Sequence, residues 1–425
     1  MTDFAPTAPT LVTPLPDGVR LVAVPLPLPT VSVSVFVRAG SLHETRLTSG
    51  IGHVIEHMAF KGTATRDAAR INLDAERLGA EVNAHTDKDH TAFHMHGLAR
   101  DAAAFVGMLG DIVRHAAFPA DELERERQVL LHEFTDDEDD PLASAFRLFD
   151  KACFGTHPAA QPVIGTRRNI ERFTRADLVA HVQRLYSGAN LIVGVAGGIE
   201  PDALLKAVEA AFGDMPRGTP NRVEPPAYEG GIRSLRLAGS SQTHAVLGFP
   251  LPGLAAEDMA GSVAAGVLGD GMSSPLLAEL REKRGLAYYT ACSADLYDGF
   301  GQFVIEASTA PEQLDELLTQ TMRLLRTHAR QVAPLDLERA QNQITVRRLR
   351  ALERPYRRLE DAALDLFALG RVRSESERLA QLRAVGTREV RAAFEGMLAA
   401  GVSLALSGQV GRAASEKARA LLDRA

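Results

Sequence analysis

From Thr30 to Gly40 the chain reads TVSVSVFVRAG, apolar and polar side chains alternating with a period of two, which predicts a β-strand rich in branched residues. The period then changes. Residues 50–61 and the stretch RDAARINLDAERLGA (66–80) carry helical spacing, whereas AEVNAHT and HTAFHMHG read as a pair of strands. Helical patterns follow over about 100–116, 120–134, 142–153 and 174–186, then the apolar strand NLIVGVAG and a helix over 201–212. Prolines and glycines crowd residues 213–231, where no apolar periodicity survives, which is linker chemistry. Beyond it the order restarts. THAVLGFP predicts a strand, residues 257–283 helix, LAYYTACSAD and FGQFVIEAST a strand pair, 311–331 and 335–370 helices, and VSLALSG a last strand.

The second half therefore reads as a diverged copy of the first. Leu-Glu-Arg triplets begin at Leu123 and Leu337, each just after a long helical pattern, about half a chain apart. Strand pairs mixed with helices argue for α+β rather than a doubly wound parallel sheet. The expected organisation is two homologous domains, 1–218 and 232–425, joined by a linker at 219–231, each a largely antiparallel sheet packed with helices.

Composition narrows the function. The 425 residues suffice for two or three cores. A net charge of −7 and a pI near 6.0 argue against nucleic-acid or anionic-membrane partners. Two distant cysteines, Cys153 and Cys292, suggest a reducing compartment. The first residues lack the basic-then-apolar pattern of a secretory signal, and no apolar run nears the ~20 residues that span a bilayer. The expectation is a cytoplasmic protein.

Candidate chemistry sits in GHVIEHMAFKGT. On a helix, with His53 at zero, His57 falls at about +40° and Glu56 at about −60°, while Ile51, Val54, Ile55 and Met58 fall on the opposite side. One face can bury in a core while the other presents two imidazoles and a carboxylate. Histidines at i and i+4 suit zinc, with a glutamate beside them as general base. A third ligand is needed, and spacing alone does not choose among the many carboxylates. His94 and His96 alternate on one strand face and could bind metal, but nothing nearby completes a set; His132, about 100° round the helix from Glu133, reads as a support beside the site or as surface rather than as a ligand. The acidic run 136–140 reads as a solvated loop that could attract basic peptides.

The string GxxHxxEHMxFKGT resembles that of the inverted zincins, the family of pitrilysin, insulysin and mitochondrial processing peptidase, and the length resembles its half-length bacterial members. The resemblance implies a third zinc ligand about 76 residues past the second histidine, which is Glu133, and a supporting glutamate one heptad earlier, Glu126. It implies that Asn83-Ala84-His85-Thr86 is an edge strand on which Asn83 and Ala84 hold substrate backbone by strand addition. Phe93 stands where many relatives carry tyrosine. In LREKRGLAYYT, Arg281 and Tyr288 match a pair that holds the substrate carbonyl and stabilises the oxyanion; GDGMSSPL just upstream matches a glycine loop that equally reads as a helix-capping turn.

What the resemblance implies is a zinc endopeptidase with one zinc per chain on His53, His57 and Glu133. Glu56 acts as general base on the zinc-bound water, and Glu56, Arg281 and Tyr288 form the catalytic set. Substrates would be short unfolded peptides held as an added strand. Two domains would make a half-clam, so that a homodimer, or a heterodimer with a related chain, closes the chamber. The rival expectation is a non-catalytic assembly subunit of the same fold acting with a partner chain.

Overall fold

The Thr30–Val37 alternation does form a strand, but the polar half of the pattern does not face water. The computed structural model describes residues 9–424. Its first sheet contains β1 (Leu11–Pro14), β2 (Arg20–Pro25), β3 (Thr30–Val37), β4 (Glu81–Thr86), β5 (Thr91–Leu98) and β6 (Leu191–Gly197), in the order β1-β2-β6-β3-β5-β4. On one face Val31, Val33, Val35 and Val37 enter a core with Val54, Met58 and Phe105. On the other, Ser32, Ser34 and Phe36 are also buried; Phe36 joins Ile192 and the helix Pro355–Ala368 through Leu359, Ala363 and Leu366. A sheet covered on both faces has no solvent side, so its serines lie under the helix.

The second sheet contains β7 (Gly231–Arg236), β8 (Thr243–Leu251), β9 (Tyr289–Leu296), β10 (Gly301–Thr309) and β11 (Ser403–Gly408), in the order β7-β11-β8-β10-β9. That order repeats β2-β6-β3-β5-β4. Each sheet has one parallel pair (β2 with β6, β7 with β11), and every other pairing is antiparallel. The fold is α+β with an internal repeat.

Two compact units result. One comprises the residues up to Phe134 with 162–223 and 351–372; the other comprises 135–161, 224–350 and the residues from Arg373 on. A division at 219–231 separates the strands of the sheets but not the helices. Pro141–Phe154 belongs with the second sheet, where Phe149 lies against Gly248, and Pro355–Ala368 belongs with the first, where Leu359 lies against Gly194. The two glycines leave room for these side chains: a Cβ would meet Phe149 at 2.7 Å and Leu359 at 3.1 Å.

Several expected boundaries move for local reasons. The acidic run 136–140 is not a loop. Asp136–Asp139 complete the helix Ala120–Asp139, and Asp140 caps the next one by accepting from Leu142 N–H (2.7 Å) and Ala143 N–H (3.2 Å) ahead of Pro141. The 335–370 pattern is two helices, Pro334–Ala351 and Pro355–Ala368, because Pro355 cannot donate inside a helix but suits its first turn. The 257–283 pattern divides into Ala260–Gly269 and a π-helical Leu277–Lys283, parted by a turn where Gly271 has φ +81°. The short strands β1, β2 and β7, and the helices Glu375–Ala384, Thr387–Ala400 and Ala414–Arg424, have no counterpart in the periodicity reading. No helix among the described residues is long and apolar enough to cross a membrane.

Leu359 is 1% exposed and anchors the cover of the first sheet. Leu359→Ala should cost about 2–5 kcal/mol, seen as a lower thermal-unfolding midpoint; an unchanged midpoint would mean that the helix contributes little there.

Candidate metal centre

The helix Ile51–Ala59 buries Ile51, Val54, Ile55 and Met58 at 1% exposure or less, so its opposite face turns His53, Glu56 and His57 outward, as the helical angles require. Its start is unusual. Gly50 takes the N-cap position at φ +94° and has no side chain to cap with. Glu44 supplies the missing acceptors from six residues upstream: Gly50 N–H donates to Oε2 (2.7 Å) and Gly52 N–H to Oε1 (2.8 Å). Gly50 also needs to be glycine for space, since a Cβ would stand 2.7 Å from the Gly165 Cα. Burial pushes the Glu44 carboxyl up to about 7 against those two amide bonds.

The long helix Ala120–Asp139 brings Glu126 and Glu133, two turns apart, to the same place. His57 stands between them. Its Nδ1–H donates to Glu126 Oε1 (3.0 Å), and its Nε2 lies 3.4 Å from Glu133 Oε2. His53 Nε2 is 3.7 Å from the same Glu133 oxygen. The donor atoms of His53, His57 and Glu133 all lie within 4.8 Å of one another. Tetrahedral zinc at ~2.0–2.2 Å from each ligand needs donors roughly 3.3–3.5 Å apart, so this set fits the ion with small shifts. The tautomer fits too. Glu126, a carboxylate, can only accept, so the proton is on His57 Nδ1 and the lone pair on Nε2 faces Glu133.

Electrostatics agree with ligation. Burial, with some help from His57, drops His53 to about 4, leaving a neutral imidazole. Its Nδ1 is buried without a hydrogen-bond partner among the described residues. For Glu126, burial opposes the charge, but Lys61 Nζ at 2.6 Å together with His57 outweighs it and holds the carboxyl below the usual range. Glu56 moves the other way. Burial chiefly, and the Glu133 charge, raise it, while the Thr86 hydroxyl and backbone and His57 restrain it.

β4 is an edge strand of its sheet, and Ala84 N–H donates to Asn83 Oδ1 (2.8 Å). Ala84 and Thr86 share one face of that strand, and Asn83 and His85 the other. Phe93 is fully buried in the core. Arg281 and Tyr288 belong to the other compact unit. Arg281 lies in the π-helical segment, half-exposed, with Nε 3.6 Å from Glu282 Oε1. Tyr288 is 82% exposed rather than packed in a core. In GDGMSSPL, Ser274 Oγ accepts from Leu277 N–H (3.4 Å), a capping turn. His132 is exposed.

Sequence reasoning passed over two sets of residues here. Glu44 acts on the zinc-type helix from outside the motif, and Lys61 acts from just past the helix end through Glu126; a helix opening on Gly-Ile-Gly without a capping side chain was the available signal for the first. Tyr356 and Glu360 come from the other half of the sequence and meet His85, His94 and His96 on the far face of the first sheet.

Glu44→Ala should destabilise the fold by about 2 kcal/mol, since two helix-start amides lose their acceptor. A carboxyl near 7 in the fold against an ordinary 4.5 holds an extra proton between those pH values, so its contribution to stability falls as pH rises through that window. Glu44→Gln should flatten that slope in denaturant titrations at pH 5 and 7; an unaltered slope would assign it to other groups.

Comparison with known proteins agrees with this geometry. Residues 23–167 match the insulinase family, peptidase family M16, and residues 172–344 match the peptidase M16 inactive domain. A Mycobacterium tuberculosis protein called an uncharacterized zinc protease is 33% identical over 421 residues, 96% of each chain. The Bacillus subtilis uncharacterized zinc protease YmxG is 29% identical over 92% of this chain and 96% of its own. Among solved structures, a protease from Helicobacter pylori superposes with a TM-score of 0.87 at 19% identity, covering 94% of this chain and 99% of that one. A Pseudomonas fluorescens structure described as a peptidase M16 inactive domain gives 0.84 at 22%, covering 95% and 98%. With both family segments matched in order and a third of the residues identical along nearly the whole of a relative, the chain belongs to the insulinase family of peptidases, family M16.

Proposed function

We propose that this chain is a zinc-dependent endopeptidase acting on short unfolded peptides. The observation that carries the reading is the meeting of His53, His57 and Glu133 donors within 4.8 Å, with Glu56 on the same helix face and Glu126 fixing the His57 tautomer. Relatives named zinc proteases support the choice of ion. Bound zinc would supply Lewis acidity at the substrate carbonyl and acidify water.

The chain's own residues do the rest. Glu56, raised by burial, takes the proton of the attacking water and passes it to the leaving amine. Glu126 and Lys61 hold His57 in its ligating tautomer. The exposed edge of β4 at Asn83 and Ala84 receives substrate backbone as an added strand, a role open only to a strand without a partner on that side. Arg281 and Tyr288 stabilise the oxyanion; a half-exposed guanidinium on a π-helical turn and an exposed phenol after it are groups left available for a ligand. Residues 1–218 then form the catalytic half and 232–425 the half that carries the pair, with the chamber completed by a second copy of the chain.

An assembly subunit without catalysis is the weaker reading. The segment matched to the inactive domain, 172–344, contains none of the ligand set, all of which lies within 23–167. Glu56→Gln should lower kcat by about 100-fold or more on an unstructured peptide while zinc content is unchanged; normal turnover would remove Glu56 from the mechanism. Mixing Glu56→Gln chains with Arg281→Ala chains should restore part of the activity through one intact shared site. A stable mixed dimer without recovery would place the arginine's action within its own chain.

A further inference from the structure

The two imidazoles of His85 and His90 face each other in a way that calls for a cation between them. His85 is the penultimate residue of β4 and His90 precedes β5, so both belong to one hairpin. Their Nε2 atoms lie 3.3 Å apart. His90 Nδ1 is 2.7 Å from Asp89 Oδ1, and a carboxylate accepts, so the ring proton is on Nδ1 and the Nε2 lone pair is free. His85 Nδ1 is 3.4 Å from the Tyr356 hydroxyl, which donates to Glu360 Oε1 at 3.3 Å. A hydroxyl giving its proton to the carboxylate can only accept from His85, which again leaves the lone pair on Nε2. Two nitrogens 3.3 Å apart need a proton or a metal ion between them.

A third donor is in place. Glu360 Oε1 is 3.9 Å from His85 Nε2, and the donor atoms of His85, His90 and Glu360 lie within 4.8 Å of one another. The carboxylate's other oxygen, Oε2, pairs with Arg357 Nη1. Two Zn–N bonds of ~2.0–2.1 Å at the tetrahedral angle put the nitrogens about 3.3 Å apart. Each ligand also has the outer partner that metal-bound histidine usually has: Asp89 behind His90, Tyr356 behind His85. Asp87 adds negative charge facing His90. His90 is 3% exposed, whereas about a third of the His85 side chain reaches solvent, which gives an ion a way in.

We propose that His85, His90 and Glu360 form a second divalent metal site, of the two-imidazole, one-carboxylate kind that takes zinc. It is separate from the His53 set in every ligand and does not depend on the proposed peptidase chemistry. An ion there would tie the β4–β5 hairpin to the helix Pro355–Ala368, two parts of the fold far apart in sequence. The edge strand proposed to receive substrate would thereby be held at its Thr86 end.

The test uses the full chain with its first ligand set disabled by His53→Gln and Glu133→Gln. After dialysis against zinc buffered at about 1 µM, this variant should retain about one zinc ion per chain by elemental analysis, and zinc should raise its unfolding temperature. Adding Glu360→Gln, or in a separate chain His85→Asn, should weaken zinc binding at least 10-fold and abolish the temperature shift, with circular dichroism unchanged. A folded first-site variant that binds no zinc overturns the inference, the imidazoles then sharing a proton, and leaves the reading of the first site untouched. Zinc that survives both added substitutions overturns it as well, because the ion then sits elsewhere.

Discussion

His57 is divided between two glutamates, and the organisation of the first unit follows from that division. Nδ1 donates to Glu126 and Nε2 faces Glu133, so a single imidazole fixes the distance and rotation of the helix Ile51–Ala59 against the helix Ala120–Asp139. A one-residue shift of either helix would turn a donor by about 100° and break the set. Lys61 neutralises the far oxygen of Glu126, which lets a 7%-exposed carboxylate keep its charge beside the histidine. The preference for one tautomer comes from this arrangement and requires no ion.

The start of the same helix shows how the position of His53 is secured. Gly50 has a left-handed conformation and contacts the backbone of Gly165, so the turn can carry no capping side chain. Glu44 reaches in and takes the two free amides. The hydrogen bonds that a Ser or Asp cap would make locally are made by a buried residue outside the motif, which connects the ligand helix to the segment before it.

Duplication and exchange explain the rest of the frame. Both sheets repeat one strand order, with one parallel pair each, and both have a second face that must be covered. The cover comes from the other half of the sequence in each case: Pro355–Ala368 over the first sheet, Pro141–Phe154 with the second. The exchange brings Tyr356 and Glu360 to the histidines of β4 and β5, and no local sequence pattern can announce such a meeting.

Local physics was legible in the sequence where one element carried it. Alternation identified β3, helical angles placed His53, Glu56 and His57 on one face, and the heptad between Glu126 and Glu133 put both on one face of a helix. The repeated order of elements also showed. Family likeness, rather than spacing, selected Glu133 among many carboxylates, because metal geometry constrains space and not sequence distance. Only the tertiary structure decided that Ser32 and Ser34 are buried, that the acidic run ends one helix and caps the next, that Glu44 caps the metal-type helix, and that His85 and His90 meet Glu360. Each of these depends on which surface covers a face or an end, and a sequence read along one element does not contain its neighbour.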